Sequence, residues 1–343
     1  MKLLIIKPSS LGDIANAMAI VPGLRKLFPE SEIHWLANKE YVGFVELCGV
    51  EKVLVFDRNS WRKSKGILKG LKNFISLCLQ LRAEKYDIVL DMQGLFRSGW
   101  FSFATGAWQK LGYLDARDKA TFFYNRIVEN CRKKSHAVDC GLKFLELLGL
   151  DEPNAEWSWP DFSEIAEPVC QKYGLQKNNY IDFIIGTRWE TKEWIPVYFA
   201  ETAIEILKSY PGIKIILNGT EEQTSTAEFI KNKITEAGIS QDSVVILTGK
   251  IKLIELTALL SFSKLALTPD TGPMHIAAAL GTKVVALMGP TDPLCHGPYN
   301  QQKNIISLGL DCSPCHKKKC PTEIKCMKNI SPEMVLDKIR SLI

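Results

Sequence analysis

Leu3-Leu4-Ile5-Ile6-Lys7-Pro8-Ser9-Ser10-Leu11-Gly12-Asp13 runs from apolar residues through a polar break into the start of a helix. Four apolar residues in a row, followed by turn chemistry, read as a strand buried on both faces. Pro8, Ser9 and Ser10 end it, and Leu11 opens a helix expected to reach about Phe28, where Pro29 stops it. The pattern then recurs. Residues 33–37, 53–56 and 88–91 read as strands, with helical stretches near 40–48 and 66–83 and a helix from about 136 to 148 that ends at Gly149. Strands alternating with helices predict a mostly parallel sheet covered on both faces.

Residues 151–161 hold Pro153, Pro160 and two tryptophans without a clean period, and read as a linker. A second series follows, with strands near 181–185, 213–217, 244–247, 265–267 and 284–288. Its helices fall near 197–209, 221–237, 252–261 and 273–280, and Ser331 caps a last one over 332–342. The expected architecture is α/β, two doubly wound Rossmann-like domains over 1–155 and 156–343, facing a cleft at the carboxyl ends of their strands.

Composition narrows the function. The 343 residues are 46% hydrophobic and 24% charged with net charge +5, an ordinary globular mix and not a nucleic-acid-binding balance. No apolar run is long enough to span a membrane, and the N-terminal apolar run is too short for a secretion signal, so a cytoplasmic location is expected. Cys48, Cys78, Cys131, Cys140, Cys170 and Cys295 are scattered and read as small core residues, as expected in a reducing compartment.

Four strand-to-helix loops can carry chemistry. In the first, Ser9, Ser10 and the free amides before the helix can hold an anion, and Gly12 permits close approach. Asp13 in the first turn can cap the helix or act as a general base on a hydroxyl. The second is Thr268-Pro269-Asp270-Thr271-Gly272-Pro273-Met274-His275, where Thr271, Gly272 and the following amides suit a pyrophosphate, with Asp270 and His275 beside them. In the third, 186–194, Thr187 and Lys192 can reach phosphate oxygens, or the loop is simply solvated. The fourth, 91–98, joins Arg62, Lys63, Arg97, Arg117 and Arg126 as cations able to clamp a polyanion, or as ordinary surface charge. No GxGxxG is present, which counts against a dinucleotide-dependent dehydrogenase. Cys312, Cys315, Cys320 and Cys326 could close a structural zinc site, form a labile disulfide pair, hold an iron–sulfur cluster, or stand unliganded. Cys295-His296 reads as packing.

These segments, with Tyr124-Asn125-Arg126, Lys192-Glu193-Trp194-Ile195-Pro196 and Gly289-Pro290-Thr291-Asp292-Pro293, resemble glycosyltransferase family 9 over nearly the whole chain. The resemblance implies GT-B architecture, an acceptor-binding N-terminal domain and a nucleotide-sugar-binding C-terminal domain carrying the Cys-rich segment 312–326. It implies inverting transfer of heptose from ADP-heptose to Kdo-lipid A in lipopolysaccharide core synthesis, by a peripheral protein at the cytoplasmic face of the inner membrane, with no cofactor for catalysis. It makes Asp13 and Lys192 catalytic and puts the donor against Thr187, Arg188, Glu222 (or Glu221), Ile251, Asp270, Thr271, Gly272 and His275. The acceptor would meet Lys7, Ser10, Gly12, Arg62, Lys63, Gln93 and Arg97. Arg188 stands where the family commonly carries a small hydroxyl residue. The competing readings are a family relative with another nucleotide sugar or acceptor, and a metal-binding or redox module built on the Cys cluster.

Overall fold

A computed structural model describes residues 1–57, 67–129 and 134–343, the side chains of 67–69 excepted. Arg62, Lys63 and Cys131 lie outside the described residues. The chain divides into two compact units, Met1–Pro160 and Asp161–Ile343. The first holds β1 (Lys2–Ile6), β2 (Glu32–Asn38), β3 (Lys52–Phe56), β4 (Ile88–Asp91), β5 (Gln109–Tyr113) and β6 (Arg126–Val128). They form one sheet in the order β3-β2-β1-β4-β5-β6, every neighbouring pair parallel. The second holds β7 (Tyr180–Ile184), β8 (Lys214–Asn218), β9 (Val244–Ile246), β10 (Leu265–Pro269), β11 (Val284–Leu287) and β12 (Ile305–Ile306). Their order is β12-β11-β10-β7-β8-β9, again all parallel. Each sheet starts at its centre, builds outward to one edge, then returns and builds the other. The order therefore reverses between β1 and β4 and between β7 and β10, and such reversals open crevices at the strands' carboxyl ends.

The central strands carry almost no polar side chains because helices cover both faces. Leu3, Leu4, Ile5 and Ile6 are fully buried, as are Ile181, Phe183, Leu265 and Leu267. Each such side chain contributes about 1.5–3 kcal/mol by leaving water. In the second unit, Trp194 stacks edge-on against Phe199 at 4.8 Å, and its Nε1 donates to the Ile330 carbonyl at 2.9 Å.

Three expectations need correction. The helix from Leu11 does not run unbroken to Phe28. It is Leu11–Ala17, a 3-10 turn at Met18–Ile20, then a new helix Val21–Leu27 with Pro22 in its first turn, where its missing N–H costs nothing. The weakly patterned strands β5, β6 and β12 were not anticipated. Residues 156–160 stay with the first unit, where Trp157 Nε1 donates to the Ala15 carbonyl, Lys26 pairs with Glu156 and Trp159 packs on Phe44.

Asp182 is an anomaly within the second sheet. Its carboxylate is completely buried on β7, and its partner is Asn218, whose Nδ2 donates to both oxygens at 2.9 and 2.8 Å. Burial, only partly offset by Asn218, pushes its pKa up to about 7. That lies above the value of about 3.9 expected in the unfolded chain. The native state therefore holds a proton that the unfolded state releases, and stability falls as pH rises from about 4 to 7. Asp182→Asn is expected to raise the melting temperature by an amount that grows across this window and levels off above it. A pH-independent difference would contradict this.

Candidate active site

The loop after β1 is fixed by its surroundings. Trp35 Nε1 donates to the Lys7 carbonyl, and the Asn38 amide donates to the Pro8 carbonyl. Of its two sequence roles, Asp13 visibly takes the capping one. Its Oδ2 accepts from the Ser10 amide at 3.0 Å and the Ser10 hydroxyl at 2.6 Å, closing the start of the helix. Its Oδ1 lies 3.7 Å from the buried Lys7 ammonium, while the carboxylate itself remains about half exposed. Lys7 Nζ also donates to the Met92 carbonyl at 3.0 Å, tying the loop after β1 to the loop after β4.

That second loop is built on Asp91. Fully buried at the end of β4, it accepts from the Gln93 and Gly94 amides through Oδ1 and from the Tyr124 hydroxyl through Oδ2 at 2.6 Å. Burial raises its pKa against the opposing effect of these bonds. Gly112 has no side chain because the Tyr124 ring occupies that space, with a Cβ falling 2.2 Å from it. Gln93 Oε1, Asn38 Oδ1 and both Asp115 carboxylate oxygens are buried without a hydrogen-bond partner among the described residues. They sit just at or beyond the ends of β4, β2 and β5. Unpaired buried acceptors are costly, and incoming hydroxyls would satisfy them. Only Gln93 was anticipated. Asp115 was missed because β5 was missed, and Asn38 because only the strand order turns its place into a crevice.

The basic clamp is partly dismantled. Arg126 donates to Gln109 Oε1 at 2.7 Å and to the Leu147 carbonyl, so it braces β6 and is not available to a ligand. Arg97 lies exposed over the Phe56 ring at 5.2 Å, and Arg117 is exposed.

The second unit repeats the device. Lys192, after β7, donates to Asp270 Oδ2 at 2.6 Å, across to the loop after β10. The pair is largely buried, and Lys192 also sits 4.5 Å from the Trp189 ring. The Thr291 hydroxyl donates to the same Asp270 oxygen at 2.5 Å. Burial alone would raise the Asp270 pKa. The charges of Lys192 and His275, with the bonds from Lys192 and Thr291, outweigh it and hold the carboxyl below its usual range. The helix Gly272–Ala279 starts here with Thr271 at its cap making no side-chain capping bond, which leaves its first amides for an anion. Thr187 Oγ1 donates to the Trp189 carbonyl and Arg188 is exposed. Exposed Glu222 and half-buried Ile251 lie on loops after β8 and β9, joined where the Gly249 amide donates to the Gly219 carbonyl.

His296 is half-buried near the Lys192–Asp270 pair. It senses the charges of Asp270 and Lys192, its ring lies 5.5 Å from that of His316, and burial lowers its pKa, so it is neutral at pH 7. It is the last residue of the short helix Pro293–His296, which follows the Gly289–Asp292 loop.

The structure does not confirm the zinc reading of the four cysteines. Cys315 is held by its amide to the Pro290 carbonyl, and Cys326 Sγ would lie 2.9 Å from a Cβ on Gly289. Cys320 Sγ instead faces the Thr322 hydroxyl at 3.3 Å. The thiols are near enough for Cys326 to sense the other three. Among the described residues, however, no group of three or more Cys, His, Asp or Glu is placed to hold a metal ion.

Two Rossmann-like units with these sheet orders constitute GT-B architecture. The chain belongs to glycosyltransferase family 9 (heptosyltransferase), whose family model matches residues 74–325, and it is a glycosyltransferase. It is 26% identical to the lipopolysaccharide core heptosyltransferase OpsX of Haemophilus influenzae, over 89% of this chain and 84% of that one. It is 28% identical to lipooligosaccharide heptosyltransferase 2 of Campylobacter jejuni, over 100% of this chain and 99% of the relative. The solved structure of the E. coli heptosyltransferase WaaC with ADP superposes at a TM-score of 0.78, with 24% identity over 100% of both chains.

Proposed function

We propose that this enzyme transfers heptose from ADP-heptose to Kdo-lipid A, with inversion at the anomeric carbon, in lipopolysaccharide inner-core synthesis. The observation that carries the reading is Asp13: a carboxylate oriented by Ser10 and Lys7, still half open to solvent, at the strand reversal of the first sheet. It takes the proton of the acceptor hydroxyl as that oxygen attacks the anomeric carbon. The bond from that carbon to the β-phosphate oxygen breaks, and ADP leaves. Lys192, the amides after Thr271 and the Thr187 hydroxyl hold the charge that grows on the departing pyrophosphate. His275 and neutral His296 lie beside them. Glu222 and Ile251 take the ribose and adenine. Gln93, Asn38 and Asp115 accept from sugar hydroxyls, and Arg97 meets acceptor anions. Arg62 and Lys63 are assigned the same task on family resemblance. The lipid acceptor places the protein at the cytoplasmic face of the inner membrane.

Likeness to a heptosyltransferase 2 supports a second reading, in which the acceptor already carries a heptose. Mass spectrometry separates the two. The first reading expects one added heptose on Kdo-lipid A and none on the heptosylated lipid. The reverse pattern would favour the second, and no addition to either would remove both.

A further inference from the structure

Helix Ile67–Ala83 is apolar on two sides. Leu77 and Leu81 face the core, while Leu71, Ile75 and Leu79, spaced four apart, point to solvent and are 49–66% exposed. The neighbouring helix Phe96–Thr105, packed against it, does the same with Phe96, Trp100 and Phe103. These rings are not scattered. Phe74 lies 6.4 Å from Trp100, and Phe123 lies 5.2–6.0 Å from Phe96, Trp100 and Phe103. Beside them Phe122 is 80% exposed. A single exposed apolar residue is ordinary, but two adjacent helices and a turn presenting a continuous aromatic face mark a docking surface.

Charge selects the occupant. Over residues 70–83 the charged side chains are Lys72 and Arg82, the Phe96–Thr105 helix adds Arg97, and neither stretch holds a carboxylate. A two-fold contact with a second copy would bring these like charges together. A bilayer with anionic headgroups takes both the cations and the rings, since Trp and Phe seat at its interface and long basic side chains reach the phosphates. We infer that this face of the first unit, built from Leu71, Ile75, Leu79, Trp100, Phe103 and Phe122 and rimmed by Lys72 and Arg97, docks on an anionic membrane surface. Among the described residues no helix is long and apolar enough to cross a membrane, so the contact is peripheral. The inference rests on the proposed lipid acceptor for its purpose, but its test uses neither substrate.

The test is flotation of the full chain with vesicles of phosphatidylethanolamine containing phosphatidylglycerol, and with phosphatidylcholine alone. The protein should float with the first, less so as salt rises, and hardly with the second. Trp100→Gln with Phe103→Gln should lower partitioning about a hundredfold, roughly tenfold per side chain, with an unchanged melting temperature. Phe122→Gln, at a side chain too exposed to be needed for folding, should lower it about tenfold and decides the matter if the double variant fails to fold. Wild type failing to float with anionic vesicles would overturn the inference. So would Phe122→Gln floating like wild type, or light scattering showing a dimer that the double variant splits.

Discussion

Asp13→Asn is expected to lower turnover by roughly 10²–10⁴-fold, the range for a lost general base, with little change in melting temperature. The amide keeps an oxygen that can accept from the Ser10 amide and hydroxyl, so the contacts closing the helix start survive. What it loses is basicity and the negative charge facing Lys7. The KM for the donor should stay within a few-fold, because the proposed donor contacts lie on the second unit. Steady-state kinetics beside a melting curve check this. An unchanged rate would leave Asp13 a helix cap and nothing more.

Lys192→Ala is expected to cost both stability and rate. It strands the Asp270 carboxylate, largely buried and left with Thr291 as its hydrogen-bond donor. Breaking a buried pair on one side costs roughly 3–5 kcal/mol, and losing a donor to developing charge lowers kcat by about 10²–10³-fold. The two effects separate in a double variant. Lys192→Met with Asp270→Asn should recover most of the stability, because no charge stays buried unpaired, and none of the rate. pH gives a second check. The depressed Asp270 pKa means its stabilisation is fully present above the unfolded carboxylate value, near pH 4, and is lost as pH falls through the folded value. Wild type should lose this part of its stability in acid, whereas Asp270→Asn should not. Full activity in the double variant would remove Lys192 from the chemistry.

The strands buried on both faces were legible because a parallel sheet under two helical layers demands runs such as Leu3–Ile6. The edge strands were not. Gln109–Tyr113 contains Gln, Lys and Gly, and Ile305–Ile306 is two residues long, so neither has a pattern above the background. The switch-point loops were legible from Gly, Pro, Ser and Thr between strand and helix. Their internal ties were not: nothing local relates Lys7 to Met92, or Lys192 to Asp270, since strand order brings each pair together. For the same reason Arg126 looked available while a distant carbonyl occupied it. The four cysteines illustrate the converse, since close spacing in sequence did not assemble them into one ligand sphere.

The most direct test of the account is ADP release by the purified protein, with ADP-heptose and Kdo-lipid A supplied together and singly. Release only when both are present, and falling with Asp13→Asn, is the result the account predicts. Equal release from ADP-heptose alone, or none from the pair with the protein folded, would contradict it.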